Sequence, residues 1–574
     1  MNKMKKIVTI LALGLAFATS CSDDFLDKEP TDQLGASTVF EDQSLAQAFL
    51  NNIVGQLPAG QYSSPGAGYG NSYLLASISD EARSKSGWVP SNAVVRVGSM
   101  NPLDLGGLDI WDDAYTAIRQ TNEFLESLEA SEFDEEFKTR AAASARYVRA
   151  WFYFDLTRRY GDVPLLTAAQ SLDDEDLFPS QTPRSDIYTF VNTELTAVAA
   201  GLQNKSEAKA GELTKQAAIA LNARAMLFAE RYADASALAN SLISGVENDG
   251  LELYGANPAS LEEAIKNYGD LFLSTGGNVE TVYEILFLPP EKSHQFDRGN
   301  WPVRWRNDNG GQTDPTQELV DDFEMSNGLA IEEAGSGYDP ANPYAGRDSR
   351  FYASIFYHGS EFSEVSPSRG EPFIDMEWNG FNEGPGTVRD GNASITGYLV
   401  RKFVDPSLGF APEGVSNTAW QEIRFAEVLL IFAEAENEVN GPSAAVAEAV
   451  NRIRRRAFMP ELPAGLSKED MRDKIKQERR IELVFENHRW FDLIRWDEAS
   501  TVLNATYHGM KIERNGVPTS GESGPQHVFD PAQLTFTVFE DPAFSNSFPD
   551  KYKFLPIPQD EMDANTNLKQ NPGY

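Results

Sequence analysis

Three carboxylates recur at four-residue steps towards the C-terminal end of the chain, at Glu478, Glu482 and Glu486. On a helix this spacing puts them on one face, and a glycosidase needs two carboxylates about 5–9.5 Å apart. Arg479 and Arg480 share the segment, and apolar residues alternate with the charges. The pattern therefore favours a packed helix held by structural ion pairs over a catalytic pair.

Other signatures of catalysis are missing from the sequence. Neither the G-x-S-x-G nor the H-E-x-x-H motif occurs, and the glycine-rich stretch 63–73 lacks the Lys-Ser/Thr ending of a phosphate-binding loop. A single cysteine excludes an internal disulfide and a thiolate metal cluster. The histidines are scattered without metal-ligand spacing: His294, His358, His488, His508 and His527. The sequence predicts a protein that is not an enzyme and has no cofactor. It contains no metal-binding motif. No EF-hand loop pattern occurs among its many acidic residues, and the sequence leaves open whether a calcium ion is bound.

The tryptophans are the better candidates for function. A non-catalytic sugar site needs an aromatic ring that stacks on a pyranose and polar groups that bond its hydroxyls. Five of the nine tryptophans lie in or beside helical patterns and are expected in the core: Trp111, Trp151, Trp420, Trp490 and Trp496. The other four stand in loops rich in Gly, Pro and Asn: Trp88, Trp301, Trp305 and Trp378.

Polar residues accompany three of these loop tryptophans. The candidate partners of a sugar are Arg83, Asn92, Arg304 and Asn307. Each loop tryptophan is either a platform for the ligand or an anchor that packs its own loop against the rest of the protein. The sequence leaves both alternatives open for each, and we expect at least one platform.

Helical patterns dominate the rest of the chain. Apolar residues recur at three- and four-residue steps in 141–160. The Ala-rich segment 215–231 permits close approach of a second helix over 233–243, and further helices are predicted at 420–438, 443–456 and 468–486. The predicted fold is mainly α: an irregular tetratricopeptide-like helical scaffold with a loop-rich half and a few short β-strands.

Strand patterns are fewer, at 281–288, 351–357 and 398–404. The helical scaffold is expected from about 30–54, 111–245 and 419–500. The segments from about 55–110 and 289–418 are dense in Gly, Pro, Asn and Asp and are expected to be loop-rich and to face a ligand.

The charge balance excludes one class of partner. The chain has 49 Lys and Arg against 86 Asp and Glu, a formal net charge of −37. Phosphate binding draws its affinity from basic clusters, so a nucleic-acid partner is not expected. The same charge disfavours sulfated or uronate-rich polymers as ligands.

The first residues read as a targeting signal. Lys3, Lys5 and Lys6 precede an apolar stretch of about a dozen residues, which is typical of a secretory signal and too short for a transmembrane helix. Small residues then lead into Cys21, a pattern similar to a bacterial lipoprotein signal. We expect residues 1–20 to be the signal peptide, Cys21 to carry the lipid, and 21–574 to form a single unit.

The longer motifs resemble one family from end to end. They include WDDAYTAIRQTNEFLE, ARYVRAWFYFDLTRRYGDVPLL, RFAEVLLIFAEAENEVNG, ERRIELVFENHRWFDLIRW, FLPIPQDEM and QNPGY. Their number and order make the chain similar to SusD/RagB-type outer-membrane lipoproteins. Phe458 is a departure, because the family more often has Gly at that turn.

The resemblance implies four tetratricopeptide-like helix pairs, no catalytic activity, and location at the cell surface in the outer membrane through a lipid anchor. It implies binding of a polysaccharide or oligosaccharide and delivery to a SusC-like TonB-dependent transporter. It also places the glycan site at the loops that hold Trp88 and Trp301/Trp305. The aromatic platforms favour a neutral glucan, a β-glucan first. A binder of peptides or another non-glycan nutrient for the same type of transporter is the alternative.

Overall fold

The structure is a computed structural model. It describes residues 39–60, 74–84, 94–171, 173–174, 177–302, 311–362, 373–377, 394–408, 415–515 and 530–574. Cys21 and the predicted signal peptide lie outside these residues, so the lipidation of Cys21 stays a prediction. In the part of the chain that the structure describes, no helix has the length and apolar character needed to cross a membrane.

Helices make up most of the ordered elements. In chain order they are α1 (Gln43–Val54), α2 (Leu74–Ile78), α3 (Trp111–Ala130), α4 (Glu135–Tyr160), α5 (Arg184–Gly201), α6 (Lys215–Phe228), α7 (Tyr232–Ile243), α8 (Leu261–Phe272), α9 (Phe296–Asn300), α10 (Gln317–Asp322), α11 (Ser349–Ser354), α12 (Phe425–Asn440), α13 (Ala444–Arg456), α14 (Lys468–Glu482), α15 (Arg489–Arg495), α16 (Ala499–Val502) and α17 (Gln559–Ala564).

The strands form two-stranded antiparallel pairs, and all of them are short except β7 and β8. They are β1 (Ala82–Ser84), β2 (Thr281–Ile285), β3 (Thr313–Pro315), β4 (Ile355–Phe356), β5 (Leu399–Val400), β6 (Trp420–Arg424), β7 (Thr506–Arg514) and β8 (Leu534–Ser545). The pairs are β1 with β3, β2 with β6, β4 with β5, and β7 with β8.

The longest helix shows why the sequence folds as it does. The side chain of Asp134 accepts a hydrogen bond from the N–H of Phe137 and caps α4. Acidic residues occupy its first turn and Arg158 and Arg159 its last, which suits the helix dipole. Gly161, with a φ of 77°, ends it. The predicted helix over 141–160 is confirmed, and it begins a turn and a half earlier.

Successive helices pack as neighbours and build the helical scaffold. Contacts join α3 to α4, α4 to α5, α5 to α6, α6 to α7, and α7 to α12, which in turn packs on α13 and α14. Alanines fill the closest crossings, and Ala217, Ala220 and Ala223 of α6 are fully buried. The prediction of a mainly α, tetratricopeptide-like scaffold with few short strands is confirmed.

Some boundaries differ from the sequence-based expectation. The segment predicted to be helical from Trp420 begins as β6, because it pairs with β2, and α12 starts only at Phe425. The helix predicted to reach residue 486 ends at Glu482. The strand predicted at 351–357 is the end of α11 followed by β4. The β7–β8 hairpin was not predicted.

Candidate functional site

Two of the loops with candidate residues arise side by side. Strand β1 pairs with β3 so that Ser84 lies opposite Thr313. Segment 85–93, with Trp88 and Asn92, begins directly after Ser84, and segment 303–310, with Arg304, Trp305 and Asn307, ends three residues before Thr313. The pairing therefore joins the bases of two loops that are more than 200 residues apart in sequence.

The segment with Trp378 returns to the same place. It re-enters the described structure at Ser394, and the N–H of Ile395 donates to the carboxylate of Asp314 in β3 at 2.8 Å. The N–H of Met510 donates to the carbonyl of Thr396 at 2.7 Å. Gly397 has a φ of 85°, and a Cβ there would meet the carbonyl oxygen of Met510 at 2.3 Å, so this approach requires glycine.

We call the bases of these three segments the loop root, comprising residues 82–84, 94–98, 297–302, 311–315 and 394–398. Six candidates belong to the segments themselves and lie outside the described residues, so their roles stay predictions: Trp88, Asn92, Arg304, Trp305, Asn307 and Trp378. The other two candidates, Arg83 and Trp301, lie in the loop root, and the structure describes both.

Trp301 is an anchor. Its side chain is 3% exposed and its ring packs edge-on against Phe362, with centroids 4.8 Å apart. The backbone N–H of Trp301 donates to the carbonyl of Asp297 at 2.7 Å, and the backbone carbonyl of Trp301 accepts from the N–H of Gly311 at 2.9 Å. The backbone on both sides of segment 303–310 is thus tied at this residue. The interpretation of Trp301 as a stacking platform is corrected, because the ring has no free face.

Arg83 is also inside the protein. It is fully buried, and its guanidinium donates to the carbonyls of Ser79 at 2.7 Å and Phe544 at 3.2 Å. It lies 4.0 Å above the ring of Tyr507. Burial lowers the pKa of Arg83 to about 10. The prediction that Arg83 contacts a sugar is wrong, because its donors bind main-chain carbonyls that hold β1.

Arg96 was missed by the sequence analysis. It follows segment 85–93 and is half-buried, and its Nε is enclosed and has no hydrogen-bond partner in the described part of the chain. Among the described residues no carboxylate pairs with it. Burial lowers the pKa of Arg96, and its charge in turn lowers the pKa of the nearby Arg83. The sequence feature that could have indicated Arg96 is its position just after a loop rich in Ser, Asn and Pro.

Asp297 fixes the other side of the loop root. It is fully buried, and its Oδ1 accepts from the N–H of Asp405 at 2.7 Å. Among the residues that the structure describes, its Oδ2 has no hydrogen-bond partner. Burial raises the pKa of Asp297 to about 7. The carboxyl therefore joins α9 to the chain around residue 405. It is protonated at pH values below its raised pKa of about 7.

The three spaced glutamates are part of a buried ion-pair cluster. Arg424 bonds Glu280 at 2.8 Å and Glu486 at 2.7 Å and also contacts Glu482. Arg350 pairs with Glu478, and Arg456 with Glu482. Burial alone would raise the pKa of Glu482, but Arg456, Arg424 and Arg350 hold it far below its usual range. Every one of the three carboxylates is engaged by arginine, as the packed-helix interpretation predicts.

The scaffold tryptophans have the predicted role. Four are buried: Trp111, Trp151, Trp420 and Trp490. Trp496 is half-buried, and its Nε1 donates to Glu434 at 2.8 Å. These five side chains therefore belong to the packing of the helices rather than to a ligand surface.

Comparisons with known proteins match nearly the whole chain. Residues 282–574 match the family model described as the SusD family, and residues 24–227 match a model described as "Starch-binding associating with outer membrane". SusD-like protein P2 of Formosa agariphila is 24% identical, with all of both chains covered.

Solved structures agree with the fold. A SusD-like protein from Bacteroides fragilis is 26% identical, with a TM-score of 0.77 over 95% of this chain and 100% of that one. A laminarin-binding SusD-like protein is 19% identical, with a TM-score of 0.58 over 92% of this chain and 99% of that one. With the SusD model alone spanning half of its length, the chain belongs to the SusD family.

Proposed function

We propose that this protein captures a polysaccharide or oligosaccharide at the cell surface and delivers it to a SusC-like TonB-dependent transporter. The observation that carries the proposal is the match of the chain to two SusD-type family models, one of them described as starch-binding. The ion-paired carboxylates of Glu478, Glu482 and Glu486 support a role in binding rather than in hydrolysis, because arginines engage all three.

The loop root supports the position of the site. Three segments with a tryptophan each arise from one small region, and together they contain Trp88, Trp305 and Trp378. A pyranose is bound by such a combination of aromatic faces and polar groups. Asn92, Arg304 and Asn307 supply hydrogen-bonding groups on the same segments, and Arg96 in the loop root adds a guanidinium whose Nε has no hydrogen-bond partner among the described residues.

A neutral glucan is the preferred ligand. A relative of this fold binds laminarin, and one matching family model is described as starch-binding. The net charge of −37 opposes a polyanionic polymer. A peptide or another non-glycan nutrient remains the second candidate, since the proposed delivery to a transporter does not itself fix the cargo.

A ligand panel tests the binding. Calorimetry of the protein with laminarin, starch, a sulfated polysaccharide and a mixture of peptides separates the candidates. We expect binding to one of the neutral glucans and none to the peptides. Binding of peptides alone would contradict the proposal and favour the alternative.

Fractionation of cells tests the surface anchor. Cys21 is the only residue that can carry a lipoprotein lipid, so Cys21→Ala should move the protein from the membrane fraction to the soluble fraction. Cys21→Ser should do the same, which excludes an effect of the alanine itself. Retention of both variants in the membrane, in cells without the transporter, would contradict lipid anchoring.

A further inference from the structure

A small cavity of about 10 Å³ lies where the last turn of α4, the first turn of α15 and the C-terminal segment 552–555 meet. We call it the junction cavity. The residues that line it include three cations, Arg158, Arg159 and Lys553, and no acid. From this arrangement we infer that the junction cavity binds a small monovalent anion of halide size, held by hydrogen bonds from Arg158 and Arg159.

The charge around the junction cavity is opposite to that of the whole chain. The chain has a formal net charge of −37, yet every charged residue of the lining is positive. The carboxylate of Asp155 pairs with both Arg158 and Arg159. Among the described residues no second carboxylate pairs with either arginine. Two guanidinium groups therefore share one carboxylate, and one positive charge is left over beside the cavity.

Each arginine keeps one nitrogen for a ligand. Asp155 binds Nε and Nη2 of Arg158 and Nε of Arg159, and the carbonyl of Leu108 accepts from Nη1 of Arg159 at 3.3 Å. Within the described part of the chain, neither Arg158 Nη1 nor Arg159 Nη2 has a hydrogen-bond acceptor. The two side chains are only 15% and 13% exposed, so bulk water reaches little of them. Guanidinium nitrogens only donate, and an anion is the acceptor that suits them best.

The end of α4 does not cancel this attraction. The carbonyl of Thr157 accepts from Gly161 at 3.0 Å, that of Arg159 from Leu555 at 2.7 Å, and that of Tyr160 from the side chain of Asn571 at 2.8 Å. A helix C-terminus carries about half a negative charge on carbonyls that lack partners. That is less than the positive charge left over, and these three carbonyls have partners.

Apolar walls strengthen the interaction. Phe491, Tyr552 and Leu555 line the junction cavity and are buried. The ring of Phe491 lies 4.0 Å from the guanidinium of Arg158 and 5.2 Å from that of Arg159, which holds both groups in place. Because such walls exclude water, a charge-assisted hydrogen bond inside the cavity is stronger than one at the surface.

The pKa of Arg158 agrees with an excess of positive charge. Burial lowers this pKa, and the charges of Arg159 and Arg224 act in the same direction, while Asp155 opposes them. A bound anion would relieve the repulsion among the three arginines.

The size of the cavity selects the ligand. Its volume is close to that of one water-sized sphere, so a halide fits and a phosphate or sulfate, with five heavy atoms, does not. Lys553 is more than half exposed, so the lining reaches the surface at this residue and an ion can enter there.

Bromide locates the anion. Crystals of the full chain, grown without halide, are soaked in NaBr, and anomalous diffraction at the bromine edge shows where bromide is bound. We expect a peak in the junction cavity, next to Arg158 Nη1 and Arg159 Nη2. A large excess of sodium acetate should leave this peak in place, because a carboxylate group is too large for the cavity.

NMR of the chloride ion measures binding in solution, because its signal broadens when the ion exchanges with a site on the protein. Arg159→Gln should lower the broadening about tenfold, because it removes a charged donor. Lys553→Gln should lower it about threefold, because its charge is at the surface, and this exposed change gives a second test if Arg159→Gln fails to fold. Lys551→Gln is the matched control, since it removes the same charge two residues away and does not line the cavity. This control should broaden the signal as the unchanged protein does.

Three results would overturn the inference: no anomalous peak in the junction cavity of the unchanged protein, loss of the peak in excess acetate, or chloride broadening that is the same in Arg159→Gln and Lys553→Gln as in the unchanged protein. None of these results bears on glycan binding, which is proposed for the segments of the loop root. Failure of the anion site is therefore distinct from failure of the proposed function.

Discussion

The buried charged groups of the helical scaffold and those of the loop root differ in their partners. Arg424, in the scaffold, is surrounded by three carboxylates. In the loop root, Arg83 donates to main-chain carbonyls and lies over the ring of Tyr507, and Arg83 Nη2, Arg96 Nε and Asp297 Oδ2 have no hydrogen-bond partner among the residues that the structure describes. A buried polar group without a partner costs free energy. We therefore expect the loss of a cation from the scaffold's ion-pair cluster to cost more stability than a substitution in the loop root.

The largest expected effect comes from the scaffold. Arg424→Met should lower the free energy of unfolding by about 3–5 kcal/mol, because it leaves buried glutamates without one of their cations. Arg119→Met is the control: its pair with Glu123 at 2.8 Å is well exposed and should be worth less than about 0.5 kcal/mol. Urea unfolding of both variants measures the difference, and equal losses would contradict a stability role specific to the buried cluster.

Trp301 is buried in the loop root, whereas Trp305, four residues later, belongs to segment 303–310 and is proposed as a platform. Trp301→Ala should cost about 3 kcal/mol of stability, because it empties a buried site against Phe362. Trp305→Ala should cost less than about 0.5 kcal/mol if that residue is a platform. Thermal melts of the two variants measure this contrast. A larger loss for Trp305→Ala than for Trp301→Ala would reverse their assignments.

A smaller effect is expected from the pH dependence of the loop root. The pKa of Asp297 is raised to about 7, so between about pH 4 and 7 the folded state holds a proton that the unfolded state has lost. Stability should therefore fall as the pH rises through this range, and Asp297→Asn should remove that fall. Relative to the unchanged protein, the variant should gain about 1–3 kcal/mol between pH 5 and pH 8.

Denaturant unfolding at both pH values checks the prediction. Asp473→Asn is the control, since Asp473 is exposed on α14. The same gain in Asp473→Asn, or a gain at pH 5 instead of pH 8, would contradict the assignment of the effect to the buried carboxyl.

The scaffold could be predicted because its signals are local. The pattern Asn440-Gly441-Pro442 marks the end of α12, and Ser443 caps α13 by accepting from the N–H of Val446. The charges of α14 could also be interpreted from their own segment, because the alternation of Glu and Arg with apolar residues implies burial in pairs.

The loop root could not be predicted because its partners are distant. Arg83 was interpreted as a surface residue, and the carbonyl of Phe544 that binds it is 461 residues away. Trp301 and Trp305 share one loop composition, and only contact with Phe362 identifies Trp301 as the anchor. Trp420 begins a strand rather than a helix because β2, about 140 residues earlier, pairs with it.

We expect the segments that arise from the loop root to bind the glycan and the helical scaffold not to bind it. The most direct test is calorimetry with the glucan that the panel identifies, comparing the unchanged protein with the triple variant Trp88→Ala, Trp305→Ala and Trp378→Ala. Removal of aromatic platforms should weaken binding at least thirtyfold, about 2 kcal/mol, while the melting temperature changes little. Full binding by the folded triple variant would show that the glycan binds elsewhere on the protein.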